Sequence, residues 1–237
     1  MYRFYTLSES LKNYYIKTLD CSIENIVATG HTTLDYFYLN KNKNTEKKYI
    51  IYAPHFSIMH PAIKNKFYYS TFNYNCDLIL DFAKKHKELN WVFKPHPNLK
   101  ETLIKMNISE EAITAYYDEW ANIGTINEDS DYLELFANSK AMITDCGSFL
   151  TEYFCTGKPL LHLIQPNAIN WPSKIFKPMF DSFYKVYNNQ DLLQTLERVV
   201  ILGDDYKKNE RQQVKQQFSF TNTYAAENIL KDLLNLF

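Results

Sequence analysis

The chain has 237 residues, enough to bury the core of one large α/β domain or one domain with attached helices. Charged residues make up 22% and the formal net charge is −1, so no strong field favours nucleic acid as a partner. Four cysteines (Cys21, Cys76, Cys146, Cys155) have no CxxC spacing, which excludes a small disulfide-stapled secreted domain and suits reduced thiols in the cytoplasm.

The first twenty residues carry an amphipathic helical pattern through Leu11, Tyr14, Tyr15 and Leu19, giving an N-terminal helix within residues 1–22. The start, Met1-Tyr2-Arg3-Phe4-Tyr5, lacks the apolar core of a signal peptide, and no later segment has the apolar length of a membrane span. Residues 23–29 read as a strand that stops at Gly30-His31. A polar loop over residues 40–48 follows, its Lys41-Asn42-Lys43 and Lys47-Lys48 clusters read as solvated. Residues 49–53 form a second buried strand, stopped by Pro54.

Residues 73–89 read as a helix, and Trp91-Val92-Phe93 as a strand entering Lys94-Pro95-His96-Pro97. Residues 109–120 are helical, and Asp129 or Ser130 is expected to cap a helix through Leu133, Leu135 and Phe136. Ala141-Met142-Ile143 is a strand entering Asp145, with a helix from Ser148 that Gly157 ends. Another apolar run covers residues 160–164, and residues 191–202, 205–218 and 223–237 read as helices. Strands alternating with helices imply an α/β fold: a Rossmann-like parallel sheet with helices on both faces, plus terminal helices. The α/β domain is expected over residues 23–187, with the helices of 188–237 packing on it.

A strand that ends in a polar, small-residue turn and then starts a helix places backbone N–H groups at one mouth of a parallel sheet, where phosphorylated ligands bind. In Cys146-Gly147-Ser148-Phe149, Gly147 lets the backbone approach a ligand, and Ser148 Oγ with the N–H groups of Ser148 and Phe149 suits phosphate oxygens. A simple N-cap role for Ser148 is an equal alternative. Glu152, one turn on, could accept from ribose or alditol hydroxyls or merely compensate the helix dipole. Asp145 is expected to hold the turn through backbone N–H groups. His96, stiffened between two prolines, is the catalytic candidate, stabilising or protonating a bridging oxygen. Lys94 adds a point charge for a diphosphate.

His31, His55, His60 and His96 all fall at predicted strand-to-helix turns, which share one edge if the sheet is parallel. His55 and His60 lack zinc-helix spacing, and no acidic cluster suggests a divalent cation unless Asp129 and Asp131 form one; no metal or cofactor is expected. Trp120 reads as a core residue rather than a pocket wall. The 19 tyrosines and 16 phenylalanines fit an AT-rich codon bias better than a stacking function.

In order, Gly30-His31, Tyr52-Ala53-Pro54-His55, Lys94-Pro95-His96-Pro97 and the segment 144–159 resemble the CDP-glycerol glycerophosphotransferase family, which makes teichoic acids and related capsular polymers. The resemblance covers about residues 23–163, like the C-terminal, donor-binding half of a GT-B fold. It implies a CDP-alditol donor with His96 and Ser148 near its diphosphate, and with the residue-level reading the expected donor-binding set is Gly30, His31, His55, Lys94, Cys146, Gly147, Ser148, Phe149 and Glu152. It further implies transfer of an alditol phosphate to a polysaccharide or lipid-linked polymer acceptor with release of CMP, in the cytoplasm or at the inner face of the membrane. Two departures accompany it. The family's usual serine pair is Gly147-Ser148 here, and the family's N-terminal half has no counterpart before the donor domain. A GT-B nucleotide-sugar glycosyltransferase and a non-catalytic donor-binding module, completed by a partner subunit or a second copy, stand as alternatives.

Overall fold

The computed structural model describes residues 2–18, 22–40, 48–62, 67–166, 175–217 and 223–236. Six parallel strands form the main sheet: β3 (Tyr49–Ala53), β4 (Asn90–Phe93), β5 (Gly124–Ile126), β6 (Ser139–Thr144), β7 (Leu160–Leu163) and β8 (Tyr184–Val186). Their spatial order is β5-β4-β3-β6-β7-β8. The chain therefore starts in the middle, winds out to β5, and returns beside β3 to wind the other way. The crevice between the ends of β3 and β6 is the switch point at which doubly wound sheets bind ligands.

The central strands carry near-continuous apolar runs because both of their faces are covered. Ile50, Ile51, Tyr52 and Ala53 of β3 are all buried. Ile50 and Tyr52, with Ala141 and Ile143 of β6, face a core that includes Ile79, Ile113 and Leu192. Those three come from α3 (Phe72–Lys85), α5 (Glu110–Ile123) and α9 (Asn189–Thr195), the last continued by a π-helical turn, Leu196–Ile201. Trp120 lies in this core, fully buried and stacked on Phe93 at 5.1 Å between ring centroids. Ile51, Ala53 and Met142 face the other way, towards α7 (Gly147–Phe154), α8 (Lys177–Asp181) and α10 (Lys208–Gln216). Burying strand residues on both faces, at about 25 cal/mol per Å² of apolar area, makes this sheet the rigid support for its own edge.

The beginning of the chain departs from expectation. Only Glu9–Thr18 is helical (α1), and Phe4–Thr6 is a strand, β1. Residues Ile23–Asn25 form a 3-10 turn and Ile26–Ala28 a strand, β2, which pairs in parallel with β1 rather than joining the main sheet. Three-residue strands are shorter than the window over which periodicity is legible. After α2 (Thr32–Leu39), the remaining partner is α11 (Ala225–Leu234). Asp35 of α2 accepts from the N–H groups of Ala225 and Ala226, both at 2.9 Å, and Tyr5 donates to Asp232 of α11. Leu34 of α2 joins the second core and seats this terminal unit on the domain. Among the described residues, no helix is long and apolar enough to cross a membrane.

Candidate functional site

One local device recurs at all four of the singled-out histidines. The ring Nδ1 accepts the backbone N–H two residues on: Thr33 to His31, Ser57 to His55 and Ala62 to His60 at 3.2 Å, and Asn98 to His96 at 3.1 Å. The imidazole thus acts as an aspartate or asparagine does in a turn. With Nδ1 an acceptor, the hydrogen-bond network assigns the proton of the neutral ring to Nε2. At His55 the assignment is reinforced. Tyr69 N–H donates to Ser57 Oγ at 3.0 Å, so the Ser57 hydroxyl, 2.7 Å from Nδ1, donates to the ring.

The ends of β3 and β4 bring two of these rings together. His55 and His96 have centroids 5.0 Å apart, with Phe56 against both at 4.5 and 4.4 Å. His96 N–H donates to Pro54 O at 3.1 Å, tying the second turn to the first. Burial, and then the neighbouring His96, push the pKa of His55 down to about 4; burial also lowers that of His96. Both rings are therefore neutral near pH 7, and neither Nε2–H has a protein partner among the described residues. Two N–H donors lie side by side at the switch point. His60 has its own turn in the loop beyond, and His31 closes the start of α2 after Gly30, whose φ of 100° is a left-handed conformation that favours glycine.

Asp145 joins this pair to the end of β6. It is buried, its Oδ1 accepts from His55 N–H at 2.6 Å, and its Oδ2 accepts from Thr71 N–H at 2.6 Å and Thr71 Oγ1 at 3.0 Å. The expectation that Asp145 holds backbone N–H groups is met, but in two distant segments rather than in its own turn. Burial raises its pKa to about 6 against the opposing pull of those bonds. Next, Cys146 occupies the N-cap position of α7 without a side-chain cap bond. Ser148 is therefore not the cap: it lies inside the first turn, exposed, with Oγ 3.4 Å from Cys146 Sγ. A Cβ on Gly147 would meet nothing within 4 Å, so the backbone there borders open space. The Phe149 ring turns inward against Tyr132 and Phe136, leaving its N–H at the helix start.

Lys94 points its ammonium elsewhere than a free charge would. Nζ donates to Asn127 Oδ1 at 2.8 Å and to Asp129 O at 2.7 Å, and lies 5.4 Å from the centre of the Tyr132 ring. Two of its three donors hold the segment after β5. Tyr132 in turn donates to Glu152 Oε2, so Lys94, Tyr132 and Glu152 form one connected wall. Asp129 and Ser130 do not cap the following helix, α6 (Leu133–Ala137), whose N-cap is Tyr132; Asp129 supplies its carbonyl to Lys94 instead. Among the described residues, no group of three His, Cys, Asp or Glu side chains is placed to hold a metal ion. Ser57, Thr71, Asn127 and Tyr132 were not legible as site residues, because their roles depend on partners far off in the sequence.

A doubly wound parallel sheet with this edge places the molecule among GT-B-type α/β folds. The chain belongs to the CDP-glycerol:poly(glycerophosphate) glycerophosphotransferase family, a family of transferases whose model matches residues 5–235. A curated relative is the teichoic acid poly(ribitol-phosphate) polymerase of Bacillus spizizenii, 27% identical over 168 residues, 65% of this chain and 25% of that protein. Another is the minor teichoic acid biosynthesis protein GgaB of Bacillus subtilis, 23% identical over 74% of this chain and 19% of that protein. The chain thus spans a quarter or less of the length of these two relatives. Among solved structures, the wall teichoic acid polymerase TagF matches with a TM-score of 0.55 at 15% identity, over 98% of this chain and 57% of that one. The UDP-GlcNAc 2-epimerase of Neisseria meningitidis bound to UDP-GlcNAc matches with a TM-score of 0.60 at 15% identity, over 98% and 61%. At these identities the two structures speak to the fold.

Proposed function

We propose that this chain binds a CDP-alditol (CDP-glycerol or CDP-ribitol) by its diphosphate and serves transfer of the alditol phosphate to a hydroxyl of a teichoic-acid-like or other polymer acceptor, releasing CMP. The observation that carries the reading is the meeting of two Nε2–H-bearing imidazoles, His55 and His96, with the start of α7 at the switch point. Helix-start N–H groups and neutral ring donors suit an anion, and Lys94 steadies the wall rather than supplying the main charge. Gly147, Ser148 and Phe149 offer N–H groups to phosphate oxygens around the Cys146 turn. Glu152, held by Tyr132, accepts from ribose hydroxyls. Gly30 and His31 share the family motif, but their turn closes the start of α2 and we assign it no contact with the diphosphate. Family membership supports the choice of donor class.

In the transfer, the acceptor hydroxyl oxygen bonds to the β-phosphorus as the bond from that phosphorus to the bridging oxygen breaks. CMP leaves with the bridging oxygen and its electron pair, and the acceptor proton passes to a base or to water. Such a displacement asks the protein for positioning and charge stabilisation more than for covalent chemistry. His96 in its proline-bounded turn stabilises charge on the leaving oxygen. Because each Nδ1 already accepts a backbone N–H, the two rings meet the diphosphate as neutral Nε2–H donors. A lipid-linked acceptor would put the reaction at the cytoplasmic face of the membrane.

Calorimetry with CDP-glycerol, CDP-ribitol, CMP-sialate and UDP-sugars tests the reading. A CDP-alditol is expected to bind, and His96→Ala and Ser148→Ala each to weaken it about tenfold, the scale of one hydrogen bond to a charged group. Binding of a UDP-sugar with no affinity for any cytidine nucleotide would overturn it in favour of a sugar transferase.

A further inference from the structure

A second cavity opens on the same edge of the sheet, beyond the ends of β7 and β8 and beside the starts of α3 and α9. Its volume is about 320 Å³. Val186 and Leu192 contribute apolar surface, while Tyr74 and Tyr187, 53% and 57% exposed, stand at its mouth. Among the described residues, no charged side chain lines it. A phosphate or carboxylate would find no counter-charge there, so the lining selects a neutral occupant. Polar groups remain at the rim. Asn188 Oδ1 caps α9 by accepting from Asp191 N–H at 2.9 Å, and its Nδ2 is left over. Asn189 Nδ2 donates to Tyr74 O at 3.1 Å, and its Oδ1 is left over. Tyrosine faces for C–H surfaces, with amide donors and acceptors around them, match a hydroxylated carbon chain or ring.

Thr71 couples this cavity to the histidines. It lines the cavity, and its N–H and Oγ1 both donate to Asp145, which accepts from His55 N–H. Only Asp145 stands between a group touching Thr71 and His55. The cavity also lies over β7 and β8, across the switch point from Lys94 and Tyr132. A nucleotide over β4 and a hydroxyl from the β7 side would approach the phosphorus from opposite directions, as in-line displacement requires.

We propose that this cavity holds a neutral, hydroxyl-bearing group, a sugar ring or an alditol. Its role in transfer rests on the function proposed above. The group could be the alditol of the donor or the end of the acceptor, and the test separates them. The isotope-labelled full chain is titrated with glycerol, ribitol, methyl β-glucopyranoside, CDP and CDP-glycerol, reading the amides of Tyr74, Tyr187 and Asn189 against those of Gly147 and His96. At least one neutral probe is expected to move the first set alone, and CDP the second set alone. CDP-glycerol moving both sets identifies the donor's alditol as the occupant. The glucoside moving the first set in the presence of bound CDP-glycerol identifies the acceptor. Tyr187→Ala is expected to weaken the neutral probe about tenfold and leave CDP affinity unchanged. The proposal is overturned if CDP or inorganic phosphate moves the first set, or if no neutral probe does. Loss of CDP binding at Gly147 and His96 would count against the functional reading instead, since the neutral probes are read independently.

Discussion

The terminal unit and the main sheet use the same histidine turn to different ends. At the end of β2, His31 accepts from Thr33 N–H and closes α2, whose Asp35 then holds the start of α11. That turn has no second histidine turn beside it, because β2 pairs only with β1. At the ends of β3 and β4 the same turn occurs on two adjacent strands, which leaves His55 and His96 with rings 5.0 Å apart. The turn is a local device; strand adjacency makes a site of it. The largest expected effects follow from removing what holds the second arrangement together.

Asp145→Ala leaves the N–H groups of His55 and Thr71 without their acceptor, and is expected to cost about 3 kcal/mol, measured by denaturant unfolding. The matching loss in the terminal unit, Asp35→Ala, should release α11 while leaving donor binding intact. Acid is expected to act chiefly on the main sheet. His162 of β7 has a buried Nδ1 with no hydrogen-bond partner among the described residues, and burial lowers its pKa to about 3. The unfolded chain binds this proton below about pH 6.5 and the native state does not, so stability falls as pH drops from 6.5 towards 3. At pH 5 the loss is about 2 kcal/mol. Asp145 has the opposite sign: its raised pKa stabilises the native state below about pH 4, and that contribution is lost as pH rises through 6. His55, pushed down to about 4, adds a loss of the same sign, so His162→Leu should make the acid limb of unfolding shallower without removing it, and an unchanged limb would place the acid-sensitive group elsewhere.

Much of the edge was legible because buried strands announce themselves. Val92-Phe93 and Met142-Ile143 are apolar runs stopped by polar turns, and the structure places both turns at the switch point. The edge strands β5 and β8 were not legible, since three residues such as Gly124–Ile126 carry no period. The partners of Asp145 lay 90 and 74 residues away, so a role in the local turn was the nearest inference. Ser148 looked like a cap because serine usually is one before a helix, whereas here the helix begins one residue earlier, at Gly147. His31 shared a motif with the site histidines, and nothing local distinguishes a turn on β2 from one on β3.

Two smaller effects sharpen the contrast. Gly147→Ala adds a methyl group where nothing stands within 4 Å, so unfolding should be almost unchanged. The methyl would enter the space that a phosphate needs, and donor affinity is expected to fall about tenfold, about 1.4 kcal/mol. A variant with intact stability and intact affinity would move the phosphate away from the start of α7. His31→Ala should do the reverse. Loss of its turn to Thr33 N–H removes the cap of α2, a cost of about 1 kcal/mol seen in the unfolding midpoint. Donor affinity is expected to stay, because no bond to the His55–His96 pair passes through that ring. If His31→Ala weakened the donor as much as His96→Ala, the terminal unit would contribute to the site, and the two regions would be parts of one binding surface.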